Sequence, residues 1–321
     1  MQVFQKIYII GAGAIGKTLA VFLKRAGRDV VLLRGHIHDV RDYTEEISVR
    51  LKNGELISEK MLIRTIQQYK RLDGIVVLAS KSYGNAALAE RLKDKVAGSP
   101  LVLLQNGLHI ELPFIQQWFT RIYRCVLFTT CQFVSENLLQ FKPVSVSPVG
   151  IIKGDEPELA AVVAALNNDN FLFRAEPVIG PVVWKKAIIN SVFNSVCPLL
   201  ETDNGIFYRD ASARVIARTV IDECIGVAAL QGVLLDAKGC MESLLQISKY
   251  SEGQLISTYQ DIIGGRPTEI DTLNMAIAAM ADQADGKPVV IATRLLGEMI
   301  RIKSGVSVTS LLKDGKTGIS S

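Results

Sequence analysis

One segment in the second half of the chain carries polar side chains whose types and spacing could do chemistry. Lys186, Asn190 and Asn194 follow one another at intervals of four residues. On an α-helix such residues differ by only about 40° in direction and about 6 Å in height, so their head groups form one stripe. An ammonium can donate a proton, and carboxamides bind polar atoms without adding charge. Because asparagine is a mediocre helix former, the stripe favours the lining of a site, with a polar seam between helices as the alternative.

The other titratable groups narrow the choice of proton donor. The three histidines, His36, His38 and His109, all lie in the first third of the chain. Histidine is the commonest general acid, so a donor in the second half must be of another type. One acidic candidate is Glu269, which Thr268 and Asp271, at capping-box spacing, place in the first turn of a helix. The helix dipole favours an acidic residue there without any functional role, and local spacing alone therefore favours a structural Glu269.

The amino-terminal segment contains a glycine pattern for binding a dinucleotide. The apolar run 7–10 leads directly into a G-x-G-x-x-G turn, which consists of Gly11, Ala12, Gly13, Ala14, Ile15 and Gly16. The first glycine allows the tight turn, the second lets the backbone approach a pyrophosphate, and the third lets the next helix pack on the strand. A helical segment over 17–26 and a strand over 29–33 follow in the order that a Rossmann unit requires. The pattern therefore predicts a bound dinucleotide.

Arg34 stands at the end of the second strand, where an NAD site would have an aspartate or a glutamate. The planar, always charged guanidinium suits a 2′-phosphate, which a carboxylate would repel. Arg34 therefore favours NADPH over NADH, although it could also be a solvated loop cation. Arg41 and His36 could assist, but nothing in the spacing requires it.

Polar residues also follow the next two buried strand candidates, 75–79 and 101–104. Ligands of an open α/β sheet bind beyond the carboxyl ends of its strands. Lys81 and Asn106 are therefore candidates for contacts with the cofactor ribose and the substrate. The alternative is that they are ordinary loop residues, because loops are generally polar.

The two halves of the chain differ in periodicity. As far as about residue 178, short apolar runs alternate with helical or polar segments, which is typical of a parallel sheet covered by helices. Beyond the Pro- and Gly-containing segment 176–181 the periodicity is helical. We predict an α/β fold, with an N-terminal Rossmann-type doubly wound sheet as the NADP-binding domain (1–178) and a mostly α-helical substrate domain (179–321). Further strands are predicted at 125–134, 145–153 and 171–174, helices at 158–166, 183–200, 211–231, 241–250, 269–284 and 289–302, and a frayed tail after Ser304.

Composition argues against several other classes of protein. The 321 residues are 49% hydrophobic and 21% charged, which is typical of a globular chain with a large core. A net charge of +4, scattered along the sequence, gives little support to nucleic-acid binding. No apolar run approaches the roughly 18 residues of a membrane span, so a cytoplasmic protein is expected. Five cysteines without a C-x-x-C pair indicate neither a disulfide framework nor a metal site.

With these residues assembled, the chain resembles the ketopantoate reductases, or 2-dehydropantoate 2-reductases, over nearly its whole length. The resemblance rests on several motifs in one order: the glycine turn with Arg34, then Lys81, Asn106-Gly107, the W-x-K-x-x-x-N-x-x-x-N pattern of 184–194, and Thr268-Glu269-Ile270-Asp271. It implies NADPH-dependent reduction of 2-dehydropantoate to pantoate, in the synthesis of pantothenate and coenzyme A.

The resemblance also implies roles for single residues. Lys186 would be the general acid, and Glu269 would help to position the substrate or the lysine. The substrate would be held by Asn106, Asn190, Asn194 and Ser257. NADPH would be bound by the glycine turn, Arg34, Lys81 and Asn106. The expected partner is a small 2-oxo acid, and a homodimer is compatible with this function, while no nucleic-acid or membrane partner is expected.

Two departures from the family pattern leave the substrate open. Asn194 is followed by Ser195, where the family often has a proline, and the loop Gly264-Gly265-Arg266 is a variant of this chain. Both departures are close to the inferred substrate residues. The alternatives are therefore an NADPH-dependent reductase of another branched 2-oxo acid and, in a different class, a non-catalytic NADPH-sensing protein.

Overall fold

The computed structural model describes residues 6–35, 41–96, 98–286 and 288–314, with side chains as far as 306 in the last range. The chain forms two compact units. The first unit comprises residues 1–105 and 110–179, and the second comprises 106–109 and 180–321. The sequence predicts the segment 106–109 in the first domain, whereas in the structure it groups with the second unit. The predicted fold class is confirmed, because a Rossmann-type sheet is followed by a mostly helical second part.

The first unit is built on one large sheet. Its described strands are β1 Lys6–Ile10, β2 Asp29–Arg34, β3 Tyr43–Arg50, β4 Leu56–Thr65, β5 Ile75–Leu78, β6 Leu101–Leu103, β7 Ile122–Cys125, β8 Thr129–Ser135, β9 Leu138–Pro143, β10 Ser147–Lys153 and β11 Phe173–Ala175. They are ordered β11-β10-β7-β6-β5-β1-β2-β4-β3-β9-β8 across the sheet. The pairs from β7 to β4 are parallel, whereas β3 with β4, β8 with β9 and β7 with β10 are antiparallel.

Helices cover both faces of the central strands. The helices of this unit are α1 Ala14–Arg25, α2 Asn85–Leu92, α3 Leu112–Gln116 and α4 Glu156–Leu166. Successive side chains of a strand point to opposite faces, so Ile7 and Ile9 of β1 belong to one apolar cluster while Tyr8 and Ile10 belong to another. β1 is thus buried on both faces, as a central strand of a doubly wound sheet should be.

The sheet extends further than the sequence predicted. The strands β3, β4 and β9 and the helices α2 and α3 were not predicted. The single strand predicted over 125–134 is wrong, because this segment contains the end of β7 and most of β8. β7 pairs with β6 and β10, whereas β8 pairs with β9 at the far edge of the sheet. The chain must therefore leave the sheet between them, although the apolar run continues through 126–128.

The second unit is helical in its described part. Its helices are α5 Ile179–Leu199, α6 Ile206–Arg209, α7 Ala211–Leu230, α8 Ala237–Tyr250, α9 Ser257–Ile263, α10 Asn274–Gln283 and α11 Ile291–Asp314, with a 3₁₀ turn at Ile270–Thr272. One cluster of buried apolar side chains joins them, and Leu108 of the segment 106–109 belongs to it. Within the described residues, no helix combines the length and the apolarity that crossing a bilayer requires.

Two predictions for the second unit are wrong. The helix expected over 269–284 begins only at Asn274, and the tail expected to fray after Ser304 is helical as far as Asp314. The N–H and the hydroxyl of Thr272 both donate to the Glu269 carbonyl, each at 3.1 Å, which closes a 3₁₀ turn. The backbone of Leu273, at φ −114° and ψ −106°, then interrupts the helix. The capping-box spacing of the sequence therefore does not start α10.

Candidate active site

The glycine turn of the first unit has three different local environments. Gly11 has φ +120°, its N–H donates to the Leu33 carbonyl at 2.9 Å, and a Cβ there would overlap the backbone of Ala79 and Ser80. A Cβ at Gly16 would overlap the carbonyl of Gly11. At Gly13, in contrast, a Cβ would meet no atom of the described residues within 4 Å, apart from its neighbours in the chain. The first and third glycines are therefore needed by the fold itself, and the second borders open space.

This open space lies at the amino terminus of α1. Gly13 is the N-cap, no side chain caps the helix, and its first turn contains no acidic residue. The unpaired N–H groups and the helix dipole make such a terminus suitable for phosphate oxygens. Lys17 follows in the next turn, but its ammonium is 2.5 Å from Glu45 and both side chains are about one-tenth exposed. The backbone, and not Lys17, is therefore the group that a pyrophosphate would meet.

Arg34 ends β2 and is held by its surroundings. It is half-buried, its guanidinium lies 5.1 Å from the centre of the Tyr43 ring, and Nη2 donates to the Arg41 carbonyl at 2.7 Å. Burial raises the pKa of the Tyr43 phenol, so the ring beside the guanidinium is neutral. These contacts disfavour the reading of Arg34 as a solvated loop cation. Of the two residues that could assist it, Arg41 supplies its carbonyl, and His36 lies outside the described residues.

Beside Arg34 there is a cavity of about 360 Å³, which we call the β2 cavity. It is lined by Arg34, Gly35, Thr65, Ile66, Gln67, Arg91 and Lys95. The last two cations were missed in the sequence because both lie in or just after the unpredicted helix α2. A cation on a helix surface carries no signal of its own, and only the tertiary structure places these two beside Arg34.

Two amides fix the residues on either side of the segment 106–109. Asn85 and Gln105 are buried and exchange hydrogen bonds of 2.9 and 2.7 Å, and Asn85 also donates to the Ile110 carbonyl at 2.9 Å. Sequence reasoning missed Asn85. Lys81, half-buried, stands just after β5 at the start of the 3₁₀ turn Ser82–Gly84, where the parallel strands end.

In the second unit, close packing joins Asn106 and Glu269 through their neighbours. Gly107 has φ +108°, and a Cβ there would overlap Thr272. The Leu108 N–H donates to the Thr272 carbonyl at 2.7 Å, and Thr272 in turn donates to the Glu269 carbonyl. Asn106 is half-buried and Glu269 is buried. The structure thus brings these two predicted residues into one neighbourhood, although they are far apart in sequence.

The three residues of the stripe on α5 differ in how deeply they are buried. Lys186 and Asn190 are half-buried, while Asn194 is only 3% exposed. The Asn194 Nδ2 donates to the Asn190 carbonyl at 2.9 Å, and its Oδ1 accepts from the Ser257 hydroxyl and from the Thr258 N–H, each at 3.3 Å. These contacts of Asn194 fit the alternative reading of the stripe, in which it is a polar seam between helices. Asn194 thereby joins α5 to the start of α9, where Ser257 is exposed.

Two acidic residues that the sequence did not single out hold the loops around α9. Asp203 accepts from the N–H groups of Gly205 and Gly253, at 3.0 and 2.7 Å, and pairs with Arg209 at 2.6 Å. The hydrogen bonds from Arg209 lower the pKa of Asp203. Within α9, Asp261 accepts at 3.0 Å from the guanidinium of Arg266, which lies in the variant loop after the helix. Both ends of α9 are therefore anchored by ion pairs.

Thiols do not offer an alternative acid or nucleophile in this unit. Cys197, Cys224 and Cys240 are buried. Burial raises the pKa of the Cys197 and Cys224 thiols to about 12. They are therefore neutral and apolar at physiological pH.

Two segments of the chain match models of one protein family. Residues 7–142 match the family model described as "Ketopantoate reductase PanE/ApbA", and residues 179–301 match "Ketopantoate reductase PanE/ApbA C terminal". A 2-dehydropantoate 2-reductase of Pyrococcus abyssi is 26% identical over 277 residues, which cover 86% of this chain and 91% of the relative. One from Streptococcus pyogenes serotype M1 is 23% identical over 308 residues, covering 94% and 98%.

Solved structures share the fold. D-mandelate dehydrogenase, in a ternary structure with NADH and anilino(oxo)acetate, has a TM-score of 0.81 at 21% identity, covering 94% of this chain and 99% of that one. A dimeric ketopantoate reductase from Staphylococcus aureus has a TM-score of 0.79 at 16% identity with the same coverage. At these identities the structures show the fold alone, and the family is shown by the two models, which together span most of the sequence. The chain belongs to the ketopantoate reductase family of oxidoreductases.

Proposed function

We propose that this chain is an NADPH-dependent 2-oxo acid reductase whose substrate is 2-dehydropantoate and whose product is pantoate. The observation that carries the proposal is the junction of α5 and α9, where Asn194 holds Ser257 beside a stripe that continues through Asn190 to Lys186. A proton donor and several neutral hydrogen-bonding groups are thereby gathered in one unit. This is the set of groups that a small hydroxylated keto acid requires.

The first unit fits a nicotinamide dinucleotide. The uncapped terminus of α1, with open space at Gly13, suits the pyrophosphate, and Arg34 suits the 2′-phosphate. Lys81, beyond the end of β5, is assigned to the ribose and phosphates. When bound, NADPH supplies the hydride that reduces the keto carbon. We assign the preference for NADPH over NADH to Arg34.

Lys186 is assigned as the general acid. Reduction of the keto carbon leaves negative charge on the carbonyl oxygen, which an ammonium stabilises before it donates its proton. The proton passes from Nζ to that oxygen to complete the hydroxyl, and solvent restores the ammonium. The carboxamides of Asn106 and Asn190 bind the substrate carboxylate and hydroxyl without introducing charges that would compete with the lysine.

Glu269 and Ser257 complete the proposed site. Glu269 is buried, and its carbonyl organises the 3₁₀ turn that contacts the segment 106–109. We assign its carboxylate to positioning of the substrate or of Lys186. Ser257, exposed at the first turn of α9, is assigned a hydrogen bond to the substrate.

A second candidate is reduction of another branched 2-oxo acid. It is favoured by the variant loop, in which Arg266 pairs with Asp261 of α9, and by the shared fold with D-mandelate dehydrogenase. A protein that only senses NADPH is disfavoured, because it would not need a lysine in a polar stripe.

Steady-state oxidation of NADPH, followed by its absorbance, tests the proposal. Ketopantoate and a panel of other 2-oxo acids should be compared, each with NADPH and with NADH. We expect the highest kcat/KM for ketopantoate with NADPH. A higher value for another 2-oxo acid would select the second candidate, and binding of NADPH without turnover on any of them would select the sensor.

A further inference from the structure

The β2 cavity is unusual in the charges of its wall. Three of the seven lining residues are cations, namely Arg34, Arg91 and Lys95, and none of the seven is acidic. They come from separate parts of the first unit, because Arg34 ends β2 whereas the other two lie in the last turn of α2 and just after it. Three like charges beside one cavity repel one another, so the arrangement favours an anion between them.

Each cation is tethered by a backbone carbonyl. Arg34 donates to Arg41, Arg91 donates from Nη1 to Gly35 at 2.9 Å, and Lys95 donates from Nζ to Tyr69 at 2.6 Å. A guanidinium has five N–H donors and an ammonium has three, so the bonds of Arg91 and Lys95 to carbonyls restrain these side chains without using all their donors. Tethering reduces the conformational entropy that the side chains lose when they bind an anion.

Nearby carboxylates of the described segments are engaged with other partners. Asp42 pairs with Arg64 at 3.0 Å and accepts from Gln68 at 2.6 Å. Glu90, on α2, pairs with Lys93, which does not line the cavity. Asp42 and Glu90 therefore each have a partner outside the cavity wall.

We infer that Arg91 and Lys95, together with Arg34, form the binding site for the 2′-phosphate of NADPH and set the preference over NADH. This inference rests on the proposed function and extends it to two residues outside the glycine turn and strand ends. The cavity lies at the carboxyl end of β2, where a Rossmann unit binds the adenosine ribose. A phosphate monoester carries about two negative charges at neutral pH, which three cations match better than one.

The test uses two ligands that differ only in this phosphate. Isothermal titration calorimetry on the full chain should compare adenosine 2′,5′-bisphosphate with adenosine 5′-monophosphate. The variants are Arg91→Gln and Lys95→Gln, with Lys93→Gln as a matched control on the same segment and Arg91→Lys as the conservative rescue. Melting temperatures of all variants verify that the fold is retained.

We expect each glutamine variant at the cavity to weaken binding of the bisphosphate about tenfold, because a charge-assisted hydrogen bond is lost. Binding of the monophosphate should stay within about twofold, as should both ligands with Lys93→Gln. Arg91→Lys should recover most of the loss. With NADPH and NADH as ligands, only NADPH should be weakened.

Three results of these titrations would contradict the inference. Unchanged binding of the bisphosphate by both glutamine variants would overturn the inference. The proposed preference for NADPH would still stand in that case, provided that the wild type binds the bisphosphate tightly and selectively. An equal loss for both ligands would also overturn it, because the residue would then act on the adenosine or on the fold. If the wild type does not prefer the bisphosphate, the NADPH part of the proposed function fails as well.

Discussion

The two units prepare a site in different ways. In the first unit the groups proposed to meet the pyrophosphate are backbone N–H groups, at a turn where Gly11 and Gly16 are closely packed and Gly13 borders open space. In the second unit the groups proposed to meet the substrate are side chains from four separate segments, of which Gly107 and Thr272 join one pair and Asn194 and Ser257 join the other. A backbone site is encoded by a short contiguous motif, whereas a side-chain site depends on how distant segments pack. The following experiments test this difference.

The largest effect is expected from the proton donor. Lys186→Ala should lower kcat about a thousandfold, because general acid catalysis typically contributes that much, while NADPH binds nearly as in the wild type. Lys185→Ala is the matched control, since its side chain points about 100° away on the same helix. Turnover and a separate NADPH titration check both variants. Wild-type turnover in Lys186→Ala would contradict the role assigned to Lys186. It would also contradict the view that the second unit acts through its side chains.

The glycines of the turn separate folding from binding. Gly11→Ala should cost about 3 kcal/mol of unfolding free energy, because a Cβ overlaps the backbone of the neighbouring strand end at a positive φ. Gly13→Ala should cost less than about 1 kcal/mol, yet abolish tight binding of NADPH. Urea unfolding and NADPH titration measure the two effects. Equal destabilisation by both variants would show that Gly13 is needed by the fold and not by the ligand.

In the second unit, effects on folding and effects on substrate binding should be harder to separate. Asn194→Ala leaves the Thr258 N–H without its acceptor, so we expect a loss of about 2 kcal/mol together with a higher KM. Ser257→Ala should raise KM for the keto acid with little change in stability, because the hydroxyl is exposed. If Asn194→Ala changes KM but not stability, then Asn194 contacts the substrate directly and the polar seam is not its main role.

The same difference explains how much the sequence could predict. The glycine turn, the strand that precedes it and the fold class follow from local patterns and are confirmed by the structure. The hairpin of β3 and β4 was missed although Asn53-Gly54, with φ +88° at the glycine, is a recognisable turn signal. Arg91, Lys95, Asn85 and Asp203 carry no such signal. Each is an ordinary polar residue until the fold gives it a partner, and the start of α10 was likewise decided by Thr272 and Leu273.

The smallest effect is expected from Asp203, which pairs with Arg209 and holds the loop before α9. Because Arg209 lowers the pKa of Asp203, the carboxylate contributes stability above its unfolded pKa, and this contribution is lost as pH falls through the lower folded value. Asp203→Asn should therefore lower the melting temperature at pH 7 by less than Asn194→Ala does, since Arg209 is partly exposed and screened. The difference from the wild type should shrink in acid, where both side chains are neutral. A difference that stays constant from pH 7 down to acid would assign the effect to the hydrogen bonds of Gly205 and Gly253 and not to charge.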